Sequence, residues 1–97
     1  MFKTEEDLKK TFKIAAQTEK LRLKDGSFPP FVLPNEIEMM QYVFDNLLPK
    51  IKELRTRQII WLRSQGKCWK SVAKEVGLTE SQVKRVFVKE IAFLRKT

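Results

Sequence analysis

Apolar positions along the chain recur mostly at spacings of three and four, the signature of amphipathic helices, and no alternating run marks a strand. Leu8, Phe12, Ala15 and Ala16 share one helical face. Thr4 before Glu5, Glu6 and Asp7 supplies an N-cap followed by an acidic first turn, so the first helix is predicted over about 5–22. The stretch KDGSFPPFVLP at 24–34 cannot be helical, because Gly26 and the prolines at 29, 30 and 34 interrupt it. Its Phe28, Phe31, Val32 and Leu33 are too apolar for a free linker and predict an extended strap over the core.

Asn35 is expected to cap a second helix with Ile37, Met40, Val43, Phe44 and Leu47 on its inner face, ended or kinked by Pro49. A third helix is expected over about 55–65, with Ile59, Ile60 and Leu62 apolar and Gly66 as its stop. Trp69, Val72, Ala73 and Val76 then share one face of a fourth, short helix over 68–76. Gly77 stands where a helix finishes on a left-handed residue, Leu78 plugs the angle, and Thr79 with Gln82 has the spacing of a capping box. Val83, Val86, Phe87, Ile91 and Leu94 form the buried stripe of the last helix. The expected fold is all-α: about five helices, a C-terminal helix-turn-helix with its motif over 68–96, and the strap between helices 1 and 2. The expected organisation is a single domain over 1–97, with 1–34 as N-terminal helix and strap and 35–97 as the helical module.

Composition supports this picture. With 97 residues and 42% apolar content, the chain is long enough to bury roughly 60–65% of its unfolded surface around one modest core. The longest apolar runs, such as IIWL at 59–62, are too short to span a bilayer, and MFKTEEDLKK lacks the apolar core of a secretory signal. One cysteine, Cys68, allows no internal disulfide and fits a reducing cytosol. No membrane partner is expected; the expected location is cytoplasmic, associated with the nucleoid.

Charge adds a direction. Residues 1–49 hold seven Lys and Arg against eight Asp and Glu, a net of −1, whereas residues 50–97 hold thirteen against four, a net of +9. The excess sits with the helix-turn-helix, which points to an anionic partner docking there. With the apolar stripe of the last helix turned inward, Glu80, Ser81, Lys84, Arg85 and Lys89 face out. Arg can fork onto guanine in a major groove, and Lys can reach guanine or phosphate. Base edges are therefore assigned to Ser81, Lys84 and Arg85, and phosphates to Arg63, Lys67, Lys70 and Lys89. Thr79 and Gln82 belong to the same candidate surface through the cap. Glu80 fits either a cytosine amino group or the dipole of its own helix.

Enzymatic chemistry has little to stand on. Histidine is absent, Cys68 lacks a triad partner, and the three glycines are isolated rather than gathered into a phosphate-cradling loop. Glu5, Glu6 and Asp7 read as a helix's first turn rather than a metal site, and Trp69 as core rather than a stacking platform for bases. No catalytic residue, metal or cofactor is expected.

Residues 48–96, LPKIKELRTRQIIWLRSQGKCWKSVAKEVGLTESQVKRVFVKEIAFLRK, resemble the C-terminal helix-turn-helix module of bacterial sigma factors, region 4. The shared features are a leucine-proline opening, a helix ending in Gly66, the Ala73/Gly77 corner and a basic terminal helix. Over a longer span, AAQTEKL at 15–21, the proline-rich strap, the Ile37/Met40 helix and WLRSQGKCWKSVAKEVGLTESQVKR are similar in order to a family of small phage and alphaproteobacterial helix-turn-helix proteins. The sigma resemblance implies that Glu80, Ser81, Lys84 and Arg85 touch promoter bases or phosphates. Two positions depart from it: Glu80, where arginine is frequent, and Cys68, where a capping serine is usual. The expected function is sequence-specific binding of double-stranded DNA in transcriptional regulation, as a monomer or homodimer. The alternatives are a sigma-like factor associated with RNA polymerase and a small-terminase-like DNA-recognition subunit of a phage packaging machine.

Overall fold

The computed structural model describes residues 2–96. Five α-helices occur in the order α1 (Glu5–Lys20), α2 (Pro34–Tyr42), α3 (Leu54–Ser64), α4 (Trp69–Val76) and α5 (Glu80–Lys96), and no strand is present among the described residues. The all-α expectation is met.

Local chemistry explains where the first helix starts. Thr4 Oγ1 accepts the Asp7 N–H at 3.1 Å, and the acidic first turn complements the positive end of the helix dipole. The buried face of α1 is Leu8, Phe12, Ala15 and Ala16, and α1 packs on α2, α3 and α5. It ends at Lys20, two residues before the expected boundary.

Residues 21–33 differ from a continuous extended strap. The Leu23 N–H bonds to Ser27 O at 2.8 Å and the Gly26 N–H to Leu23 O at 2.9 Å, closing one turn, and the Val32 N–H to Pro29 O at 3.0 Å closes another. Val32 is buried and Phe28 packs against the core, but Phe31 and Leu33 are 70% and 56% exposed, against expectation. A chain folded into tight turns cannot lay all four of these apolar groups on one surface. Arg22 braces this segment through Glu19 at 2.9 Å, the Gly26 carbonyl at 3.2 Å and the face of Phe28.

The second helix also corrects an expectation. Its N-cap is Leu33, not Asn35: Pro34 takes the first helical position, where its missing N–H costs nothing, and Glu36 Oε1 accepts the Leu33 N–H at 2.9 Å. Pro49 does not end α2 itself. The helix widens at Tyr42 into a π turn over Val43–Leu47 and then tightens into a 3₁₀ turn over Leu48–Lys50. Val43 and Leu47 remain buried, while the changed register turns Phe44 outward to 37% exposure, against its expected inner place. Its ring meets Trp61 with centroids 5.3 Å apart.

The core gathers Leu8, Phe12, Met40, Ile59, Ile60 and Ile91 with neighbours from every helix. Each such side chain contributes about 1.5–3 kcal/mol on burial. Because α1, α3, α4 and α5 all contribute to this cluster, the C-terminal three helices are held in a fixed relation to α1.

Candidate nucleic-acid interface

The corner between α4 and α5 is built as its residue types require. Gly77 adopts φ 73° and ψ 33°, a left-handed conformation that glycine takes without Cβ strain, and its N–H and that of Leu78 both point to Ala73 O. Leu78 packs against the core from the turn, and the backbone resumes a helix at Glu80. There the Thr79 N–H donates to Gln82 Oε1 at 3.0 Å, and the Gln82 N–H donates to Thr79 Oγ1 at 3.2 Å. This reciprocal pair satisfies two N–H groups at the α5 N-terminus, as the spacing predicts.

Burial of Val83, Phe87, Ile91 and Leu94 fixes the rotation of α5. Glu80, Ser81, Lys84, Arg85 and Lys89 are all exposed. None of these five side chains makes a hydrogen bond or ion pair among the described residues. Arg85 and Lys89 stand one turn apart, which places two cations on the same outward ridge. Thr79 and Gln82 are exposed too, but their side-chain oxygens are already engaged in the cap.

The phosphate candidates are placed differently from one another. Lys70 is exposed in the first turn of α4. Lys67 pairs with Glu75 at 3.1 Å. Arg63 is half-buried: Nη1 donates to Lys67 O at 2.9 Å, and its guanidinium lies 4.4 Å from the centroid of Trp69. Trp69 in turn meets Phe87 edge-on at 5.2 Å, so this tryptophan joins α4 to α5 as part of the core. Arg63 therefore serves as a strut for the α3–α4 turn and still presents charge at the surface.

Several cations escaped notice in the sequence. Lys50 and Lys52 flank the buried Ile51 and line a cleft of about 480 Å³ together with Lys89, Glu53 and Glu90. Burial, followed by the nearby Glu53 carboxylate, pushes the Glu90 carboxyl above its ordinary value, and Lys89 opposes that shift. Lys9 and Lys13 of α1 line another cleft with Arg63. The alternation of Lys50, Ile51 and Lys52 was a legible signal for the first pair; nothing local announces the second.

No family model, curated protein or solved structure matches this chain. No group of His, Cys, Asp and Glu suited to a metal ion occurs among the described residues, and none of their helices is long and apolar enough to cross a membrane.

Proposed function

We propose that this chain binds double-stranded DNA sequence-specifically, with α4 and α5 as a helix-turn-helix, and acts in transcriptional regulation. The observation that carries this reading is the rotation of α5. Its apolar stripe is buried, its N-terminus is capped by Thr79 and Gln82, and Ser81, Lys84, Arg85 and Lys89 are left outward and unpaired near the end that enters a major groove. Lys84 and Arg85 probe base edges, with Ser81 beside them, while Lys70, Lys67, Arg63 and Lys89 hold phosphates. Glu80 lies at the first helical position, where its carboxylate favours the dipole and leaves cytosine contact as a secondary role.

The deciding experiment reverses charge at the ridge. Lys84→Glu with Arg85→Glu leaves the buried stripe untouched and turns two attractive contacts into repulsive ones. The parent should bind a duplex selected from random sequences, and for about four to six phosphate contacts log K should fall against log salt with a slope between about −3.6 and −5.4. The folded double variant should lose most of that binding. Unchanged affinity and slope would reduce the corner to a helix hairpin. Light scattering on the same protein separates regulation from packaging, since a ring would favour the terminase-like role.

A further inference from the structure

The fold brings two lysines of α1 to the flank of the α3–α4 turn. Lys9 and Lys13 stand one helical turn apart, with Cβ atoms about 6 Å from each other. Both line an open cleft of about 490 Å³ whose remaining walls include Arg63 and Gly66 at the end of α3, Trp69 at the start of α4, and Phe87 of α5. Their position is tied down at several points. Lys9 Nζ lies 5.9 Å from the Phe87 ring centroid and 3.2 Å from Glu6 Oε1. Farther along the helix, Lys20 Nζ donates to Gln65 O at 3.3 Å, so α1 follows the turn that leads into α4. Lys13 is exposed and makes no hydrogen bond or ion pair among the described residues.

The charge in this cleft is unbalanced. Three cations, Lys9, Lys13 and Arg63, face a single carboxylate, Glu6, which is already engaged by Lys9. Ammonium groups on flexible stems suit phosphate oxygens as point charges and carry no code for base edges. Gly66 and Trp69 of the cleft wall are the chain neighbours of Lys67 and Lys70, the phosphate-facing part of the proposed interface. We infer that the bound duplex extends past the helix-turn-helix onto α1, where Lys9 and Lys13 hold backbone phosphates beside Arg63. This inference rests on the duplex-binding reading. It assigns part of the electrostatic footprint to the N-terminal half, whose net charge of −1 suggests no such role. That net value hides a separation in space, because three of the four carboxylates of α1 lie in its first turn and all four of its lysines beyond it.

The test is the salt dependence of duplex binding by the full chain carrying Lys9→Gln and Lys13→Gln. Loss of two phosphate contacts should make the slope of log K against log salt shallower by about 1.8, equally for the selected duplex and a scrambled one. Lys3→Gln with Lys24→Gln removes the same charge from two other exposed positions and should change the slope far less. Since Lys9 also touches Glu6 and Phe87, Lys13→Gln alone serves as a variant with no hydrogen bond or ion pair to lose, and its slope should become shallower by about 0.9. A Lys9/Lys13 slope equal to that of the Lys3/Lys24 control overturns the inference. If that equality appears while Lys84→Glu/Arg85→Glu abolishes binding, the helix-turn-helix reading stands and only the α1 contact fails. A parent that binds no duplex at low salt removes both.

Discussion

Thr79 and Gln82 are bonded to each other twice, backbone N–H to side-chain oxygen in each direction, at 3.0 and 3.2 Å. Both residues stand beside the proposed base-reading ridge, yet their side-chain acceptors are occupied in starting the helix. Thr79→Ala should therefore cost about 1 kcal/mol of stability by removing the cap, measured by denaturant unfolding. Duplex affinity, compared where both proteins are fully folded, should stay within a few-fold of the parent. A loss of binding larger than the loss of fold would place the Thr79 hydroxyl in contact with DNA.

Arg85 is exposed on the outward side of α5, one turn before Lys89. If its guanidinium forks onto guanine, Arg85→Ala should weaken binding to the selected site by about 1–3 kcal/mol and flatten preference at a single base pair. Titration against a set of singly substituted duplexes measures both effects. Binding as tight as the parent's would exclude Arg85 from base readout.

Cys68 is the N-cap of α4 but its thiol makes no capping hydrogen bond; Sγ lies 3.4 Å from Ser71 Oγ, a hydroxyl that can donate to the thiolate. A serine hydroxyl accepts from exposed N–H groups where a thiol does so poorly. Cys68→Ser should stabilise the fold by about 0.5–1 kcal/mol and leave duplex binding intact.

The same neighbourhood lowers the Cys68 thiol below its ordinary pKa, chiefly through the Ser71 hydroxyl and then the Ser71 N–H, both of which favour the thiolate. Alkylation by iodoacetamide, which follows thiolate population, should therefore reach half its maximal rate at a pH below that of an unperturbed thiol. Ser71→Ala should move that midpoint upward.

Glu90 shifts in the opposite sense. Its carboxyl is raised first by burial and next by Glu53, with Lys89 opposing, in the cleft that Lys50 and Lys52 also line. The folded protein then holds the proton more tightly than the unfolded chain, so stability on this account rises as pH falls from above the raised value toward the ordinary one. Glu90→Gln should raise the melting temperature at neutral pH, and the gain should vanish once pH drops below the ordinary carboxylate range. A gain that persists in acid would trace instead to packing.

The α4–α5 corner was legible in the chain because its determinants are local. A left-handed glycine, a plug and a cap act within six residues, and the period of buried positions in α5 reports its rotation directly. Leu8, Phe12, Ile59, Ile60 and Ile91 were likewise readable as core from helical spacing. Phe44 was misplaced because a π turn changes the register without any proline or glycine to announce it at Val43–Leu47. Phe31 and Leu33 were misplaced because hydropathy says that a side chain gains from burial, not whether tight turns let it reach the core. Asn35 lost the cap to a backbone arrangement in which Pro34 and Glu36 already meet the needs of the first turn.

Charge divides along the same line. The amino-acid order alone determined that the C-terminal half is basic and that Lys84, Arg85 and Lys89 leave the apolar stripe of their helix, since period and composition are properties of the linear chain. Only the tertiary structure decided that Arg63 leans on Trp69, that Lys50 and Lys52 share a cleft with Lys89, and that Lys9 and Lys13 lie across from Arg63. These relations arise from how α1 and α3 pack onto a common core. Electrostatic interaction depends on distance in space, and residues 50 positions apart in the chain become neighbours only once that packing is made.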